Sequence, residues 1–112
     1  MKLVAVLVFA LILALPVAAA VQTWKNVPLV DAMCGAGVKD NPDAHTVECS
    51  LHCGKDGMGI LTDKGDFLKF DKTGSDQALA LLKTTKKKDH IRATVTGEQT
   101  GDSIKVQSLK LD

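Results

Sequence analysis

Five short segments rich in apolar residues, separated by turn-forming residues, follow one another along the chain after residue 20. They cover residues 23–33, 57–62, 66–71, 90–96 and 103–111. Apolar and polar positions that alternate over such lengths are typical of half-buried β-strands. The pattern therefore predicts a mainly β protein with five strands.

Turn and breaker residues refine this prediction. Pro28 lies inside the first segment and favours an edge position or a bulge there, because proline cannot donate a backbone hydrogen bond. Residues 63–65 (Asp-Lys-Gly) predict a tight turn that joins the second and third segments as a hairpin. In the fifth segment Ile104 and Leu109 have opposite parity, so a bulge near residues 107–108 is needed to bury both.

One segment with a helical period lies between the third and fourth predicted strands. Ser75 is the predicted N-cap, and the lysines at 83 and 86–88 favour the C-terminal end, because cations complement the helix dipole. The apolar face of this helix consists of Ala78, Leu79, Leu81 and Leu82.

The predicted order of elements is strand, strand, strand, helix, strand, strand. This is the order of the OB fold, a five-stranded and partly open barrel. A small α+β sheet with the same elements is the alternative. We therefore expect an OB-fold-like β-barrel with one helix between strands three and four.

An insertion, residues 35–56, lies between the first two strands and is longer than a barrel loop requires. Asn41 as a cap, Pro42 at the first helical position and Gly54 at the end predict a short helix within it. Long connections in compact domains are usually functional or have structure of their own. The insertion is thus the first place to look for chemistry.

A helical wheel divides the predicted inserted helix into two opposite stripes. The apolar stripe, predicted to face the core, consists of Ala44, Val47 and Leu51. The other stripe consists of His45, Cys49 and Cys53. We expect the second stripe to face residues 34–37, a Cys-Gly-Ala-Gly segment whose glycines allow close approach of the backbone.

Three motifs occur together in this chain: D-x-M-C-G at residues 31–35, H-x₃-C-x₃-C at residues 45–53, and V-x-G-x₃-G-D-x-I-x-V at residues 95–106. Together they resemble a family of small secreted bacterial proteins with an OB-like fold. The resemblance covers nearly all of the chain after residue 20. It implies the fold and export, and it carries no known activity.

The first 20 residues have the pattern of a secretory signal peptide. Lys2 gives a positive start, residues 3–15 contain no polar side chain, and three alanines favour cleavage after Ala20. The apolar run of about 13 residues is shorter than the roughly 20 that a membrane span needs. We expect residues 1–20 to be removed, and residues 21–112 to form a single exported domain, periplasmic or secreted, with no membrane span.

The net charge of the remaining chain argues against nucleic acid. Lys2 is the only charged residue of the predicted signal, so residues 21–112 carry 13 basic and 13 acidic side chains. A neutral domain has no overall field that attracts nucleic acid, and single-strand binders need more aromatic side chains than Trp24, Phe67 and Phe70. Nucleic acid is therefore an unlikely partner.

The sequence contains no motif that predicts an enzyme. A nucleophile elbow, a phosphate-binding loop and H-E-x-x-H are all absent from it. Acids such as Asp31, Asp63 and Asp66 occur singly, mostly at predicted turns, where they bond their own backbone. We therefore expect a non-enzymatic protein.

The three cysteines have a structural interpretation. In an oxidising compartment Cys34 could bond Cys49 or Cys53, which would leave the third thiol free. Thiol exchange is a second possibility, but the chain has no C-x-x-C motif and its cysteines do not lie in a first helical turn. The disulfide is therefore the main alternative to a metal site.

A metal site is the other interpretation of the same residues. Cys34, His45, Cys49 and Cys53 form a Cys₃His set, which suits a zinc or copper ion. His45 and Cys53 are about 12 Å apart along a straight helix. The three cysteines therefore converge more easily, with His52 or Met33 as the completing ligand.

Two functions follow from these interpretations. In the first, the protein is an exported, non-enzymatic binding module whose insertion holds a metal ion or a small ligand. In the second, it is a structural or interaction module of the cell envelope with an envelope protein as its partner, and its cysteines only form a stabilising disulfide. Thiol state distinguishes the two, because a metal site needs reduced thiolates.

Overall fold

The computed structural model describes residues 20–112, in which five strands close into a barrel. The strands are β1 (Val21–Asp31), β2 (Met58–Leu61), β3 (Phe67–Phe70), β4 (Arg92–Thr100) and β5 (Ser103–Leu111). Around the barrel the order is β1, β2, β3, β5, β4, and only the β3–β5 pair is parallel. The predicted OB-like, mainly β fold is confirmed. The predicted signal peptide, apart from Ala20, lies outside the described residues.

A bulge interrupts β1, which pairs with β4 over its first part and with β2 over its last part. The register between β1 and β4 shifts between Trp24 and Val27, where Asn26 has a φ of 49°. Beyond Pro28, the strand continues alongside β2. The bulge predicted from Pro28 is therefore present, and the alternative of an edge position does not arise in a closed barrel.

The barrel interior is filled by apolar side chains from all five strands and from the helix α2 (Lys72–Thr84). A second bulge lies where β4 shifts register against β5, so that Gln107 has no partner residue. It brings Ile104, which is fully buried, and Leu109, which is partly buried, onto the same core. The bulge predicted from the change of parity in β5 is confirmed.

The helix α2 begins earlier than predicted, because Asp71 and not Ser75 is its N-cap. The Asp71 carboxylate accepts hydrogen bonds from the backbone N–H of Gly74 and of Val106, and so links the helix to β5. Ser75 lies inside the helix, and its hydroxyl accepts from the Met58 N–H at the start of β2. The predicted apolar face is confirmed, since Ala78 and Leu82 are buried.

The inserted helix is shorter than predicted. A 3₁₀ turn (Pro42–Ala44) is followed by extended backbone at His45, and the helix α1 (Val47–Cys53) begins only after Thr46. Thr46 is its N-cap, because its hydroxyl accepts from the Cys49 N–H. Two further 3₁₀ turns complete the insertion, Gly35–Val38 and Gly54–Asp56. None of the helices in residues 20–112 is long and apolar enough to span a membrane.

The predicted core face of α1 is wrong in part. Val47 packs against the core, but Ala44 and Leu51 are exposed, and Ser50 is buried in their place. The reason is that α1 rests on polar and backbone contacts. Its glycine cap, Gly54, lies so close to Leu79 of α2 that a Cβ there would be 2.6 Å from a leucine methyl. The position of α1 is therefore set by the close approach of Gly54 to α2 and by the polar contact of Ser50, with Val47 as its one apolar contact to the core.

The insertion is also tied to the segment between α2 and β4. The N–H of Val47 donates to the carbonyl of Lys88 at 2.8 Å, and the N–H of His90 donates to the carbonyl of Asp43 at 2.9 Å. The Arg92 guanidinium donates twice to the Asp43 carboxylate, at 3.1 Å each. These bonds fix α1 against the end of the barrel at which β1 terminates.

Candidate metal centre

The site is built around Asp31, the last residue of β1, whose side chain is fully buried. One carboxylate oxygen, Oδ1, lies 2.6 Å from Nε2 of His45 and 3.5 Å from the Ser50 hydroxyl. The other oxygen, Oδ2, accepts from the backbone N–H of Cys34 at 3.1 Å. A carboxylate at this depth is costly unless such partners surround it.

Two thiols lie beside this carboxylate. Cys34 precedes the first 3₁₀ turn and Cys53 ends α1, and both are half-buried. One donor atom from each of Asp31, Cys34 and Cys53 lies within 4.8 Å of the other two. Oxygen and sulfur donors at this spacing could hold a metal ion.

The Cys34 segment reaches this position because a glycine follows it. A Cβ on Gly35 would lie 2.6 Å from the ring of Phe67, so only glycine lets the backbone pass over that ring. Gly35 thus makes a close approach, but to Phe67 of β3 and not to the inserted helix as the sequence predicts; of residues 34–37 only Cys34 lines the cleft together with that stripe. A Cβ on Gly37 would have no atom within 4 Å, so packing does not require a glycine at that position.

Burial and the neighbouring carboxylate of Asp31 raise the pKa of the Cys34 thiol above its usual value. A third, smaller cause is the hydrogen bond between this side chain and Asp31. The thiol is therefore protonated at neutral pH. It would become a thiolate when a cation replaces the proton, because metal binding and thiol deprotonation are linked.

The four residues predicted as ligands all line one cleft, but they do not converge on one point. The cleft has a volume of about 450 Å³ and is lined by Cys34, His45, Glu48, Cys49, His52 and Cys53. Cys34 and Cys53 join the Asp31 group. His45 bonds to Asp31 through Nε2, and Cys49 is exposed one helical turn before Cys53.

The two residues predicted to complete the set differ in their position. His52 is exposed and lines the same cleft. Met33 is 58% exposed and lines neither the cleft nor the Asp31 group. His52 therefore lies beside the site, and Met33 does not.

The three cysteines of the described residues are free thiols in this structure. Of the two predicted pairings, Cys34 with Cys53 is the one whose sulfur atoms lie within 4.8 Å of each other. Cys49 stands outside this close group. A metal site and a disulfide would therefore use the same two sulfur atoms.

Asp31 is the residue that sequence reasoning missed. It was expected to bond its own backbone at a turn, and it does accept from the N–H three residues later. Its burial and its bond to His45 were not foreseen, because the register of β1 alone does not show that a loop covers its end. The signal that could have found it is the D-x-x-C spacing of Asp31 and Cys34.

The extended backbone at His45 explains why the helical wheel misplaced this side chain. If the helix ran through residue 45, the imidazole would lie on the outer stripe with Cys49. Instead the chain straightens at His45, and the ring turns inward to Asp31, where it is only 8% exposed. The helix α1 begins after this turn, at its N-cap Thr46.

Comparison with protein-family models, with curated proteins and with solved structures gives no match for this chain. The structure itself defines a class: an OB-like barrel with a possible metal-binding cluster of one buried carboxylate and two thiols, at the floor of a cleft.

Proposed function

We propose that this protein is an exported, non-enzymatic module that binds one zinc ion through Cys34, Cys53 and Asp31. The observation that carries this proposal is the fully buried Asp31 carboxylate, whose oxygen lies within 4.8 Å of both thiols. A zinc ion that replaces the two thiol protons leaves the net charge of the site unchanged, but it gives the Asp31 oxygen a cation to bind at a depth where a carboxylate without partners is expensive to bury.

The donor set favours zinc over copper. Zinc accepts both thiolate sulfur and carboxylate oxygen, whereas Cu(I) is selected by soft sulfur ligands alone. The bonds from His45, Ser50 and the Cys34 N–H to Asp31 would orient the carboxylate as a second shell does around a metal. A fourth position would face the cleft and be filled by water, a nearby imidazole or a small ligand.

The predicted export fits this proposal. Thiols in an oxidising compartment tend to pair, and a bound zinc ion keeps them as reduced ligands. Zinc would also stabilise the insertion, whose own apolar contacts are few. The ion would therefore stabilise the fold in addition to being what the module binds.

The alternative is a structural or envelope-interaction module with a Cys34–Cys53 disulfide. The proximity of the two sulfur atoms supports it. Against it stands the buried Asp31 carboxylate beside the two sulfur atoms, which a disulfide could not bind and a metal ion could. A structural cross-link has no need of a buried acid at that point.

Native mass spectrometry of the exported protein, purified without chelator and repeated after denaturing alkylation, tests the proposal. We expect one zinc ion and three alkylatable cysteines. Cys34→Ser and Cys53→Ser should lose the ion, whereas Cys49→Ser, the matched control, should keep it. A mass two protons light, with one alkylatable cysteine and no metal, would overturn the proposal in favour of the disulfide.

A further inference from the structure

Every side chain that lines the cleft above the Asp31 group carries a metal-donor atom. The lining consists of three cysteines, two histidines and one glutamate: Cys34, Cys49, Cys53, His45, His52 and Glu48. Surface clefts are usually lined by a mixture of apolar and polar side chains. A lining made only of potential ligands indicates that the cleft itself binds the ion.

These donors form a gradient of burial from solvent to the interior. Glu48, Cys49 and His52 are exposed, Cys34 and Cys53 are half-buried, and Asp31 is fully buried. Cys49 and Cys53 are four residues apart on α1, and side chains at this spacing are neighbours at about 6 Å. A metal ion could therefore bind Cys49 and Cys53 together before it reaches the buried group.

We propose that Cys49 is a capture ligand that speeds zinc into and out of the Asp31–Cys34–Cys53 site without belonging to it. This inference rests on the proposed function. Glu48 and His52, which are also one helical turn apart, hold the incoming ion at the rim beside Cys49. The cleft thus adds a transfer path to the binding site.

The transfer is a ligand exchange with no change of oxidation state. Hydrated zinc loses a water as the Cys49 sulfur binds, and the Cys49 thiol releases its proton to solvent. Cys53 and then Cys34 release their protons and bind, the Asp31 carboxylate binds, each of the three displaces a further water, and Cys49 leaves the ion and takes a proton back from solvent. Zinc stays divalent, and two protons are released to solvent overall.

A capture ligand leaves a kinetic signature that a resident ligand does not. Since it lowers the barrier between free and bound zinc, its loss slows loading and release by the same factor and leaves Kd unchanged. We expect Cys49→Ser to slow both rates by about tenfold, the effect of one lost stabilising contact in a transition state. Removal of a ligand that stays bound to the ion would instead raise Kd.

Stopped-flow mixing of the full exported chain with zinc, and of the zinc-loaded protein with excess chromophoric chelator, measures both rates. Titration against the same chelator gives Kd. Leu51→Ser is the matched control, because Leu51 is also exposed on α1 and does not line the cleft. We expect this control to load and release zinc like the wild type.

The outcomes separate this inference from the proposed function. Equal slowing of both rates at unchanged Kd supports the capture role. Unchanged rates in Cys49→Ser, with wild-type zinc binding, overturn the capture role alone. A large rise in Kd overturns it too, since Cys49 would then be a resident ligand. If the wild type binds no zinc, the proposed function fails and this inference fails with it.

Discussion

The barrel and the insertion between β1 and β2 are held in place by different forces. The barrel closes through strand pairing around an apolar core in which residues such as Met58, Ile60, Val95 and Ile104 are completely buried. In the insertion, the only apolar residue of α1 that packs on this core is Val47. The insertion depends instead on a buried acid, an ion pair and backbone hydrogen bonds.

This difference explains where the chemistry lies. Apolar packing is non-directional and tolerates many side chains, whereas a buried carboxylate needs specific partners at specific angles. The Asp31–His45 pair, the Asp43–Arg92 pair and the Val47–Lys88 backbone bond together orient α1. A region that must be fixed by polar contacts is also one that can present reactive thiols at an exact distance.

The largest expected effect comes from the barrel core. Ile104→Ala removes a fully buried side chain and should lower the free energy of unfolding by about 4 kcal/mol, the sum of lost transfer and a new cavity. Urea denaturation measures it. Leu51→Ala is the control in the insertion and should cost less than about 0.5 kcal/mol. Comparable losses in the two variants would contradict the contrast between the regions.

Zinc binding should reduce the difference in stability between the barrel and the insertion. If the proposed site is correct, free zinc at a hundredfold excess over Kd adds about 2.7 kcal/mol to the free energy of unfolding. Amides of α1, such as the Ser50 N–H bonded to the Thr46 carbonyl, should then exchange about a hundredfold more slowly. Hydrogen exchange with and without chelator checks this. Cys34→Ser should show no response to zinc.

The buried acid is the next test. Asp31→Asn keeps the shape of the side chain but weakens its bond to His45, and should destabilise the zinc-free protein by about 2 kcal/mol. It should also abolish zinc binding. Asp66→Asn, at an exposed aspartate, is the matched control. A fully stable Asp31→Asn variant would mean that the buried acid does not hold the insertion in place.

The smallest effect concerns Asp43. The hydrogen bond and charge of Arg92 hold the pKa of Asp43 below its usual 3.8. The ion pair therefore stabilises the folded protein fully above pH 3.8, and this stabilisation is lost as the pH falls through the lower pKa that Asp43 has in the folded state. Both side chains are about one third exposed, so solvent screening limits it to about 1 kcal/mol or less.

Urea denaturation of Asp43→Asn across the acid range tests this. The variant should be weaker than the wild type at pH 6, and the difference should shrink as the pH falls below 4. Asp40→Asn, an exposed neighbour, should match the wild type at every pH. A difference that persists at pH 2 would rule out the ion pair as its source.

Residue pattern predicted the barrel well and the insertion only in part. Alternation in β4, the turn at residues 63–65 and the parity change in β5 each follow from local rules, and the described strands agree with them. The helix starts were predicted from single residues. Asp71 and not Ser75 caps α2, and it also bonds β5. Asn41 and Pro42 begin a 3₁₀ turn as predicted, but the turn stops at Ala44 and Thr46 caps α1.

By itself, the sequence determined the five strands, the position of α2 and the collection of thiols and imidazoles in one insertion, because periodicity and turn chemistry act between near neighbours. Only the tertiary structure decided that Asp31 is buried, that His45 turns inward to meet it, and that Cys34 and Cys53 converge while Cys49 stays at the rim. The reason is physical. Burial of a charge depends on what covers the end of a strand, and here the cover comes from residues 14 and 19 positions further along the chain.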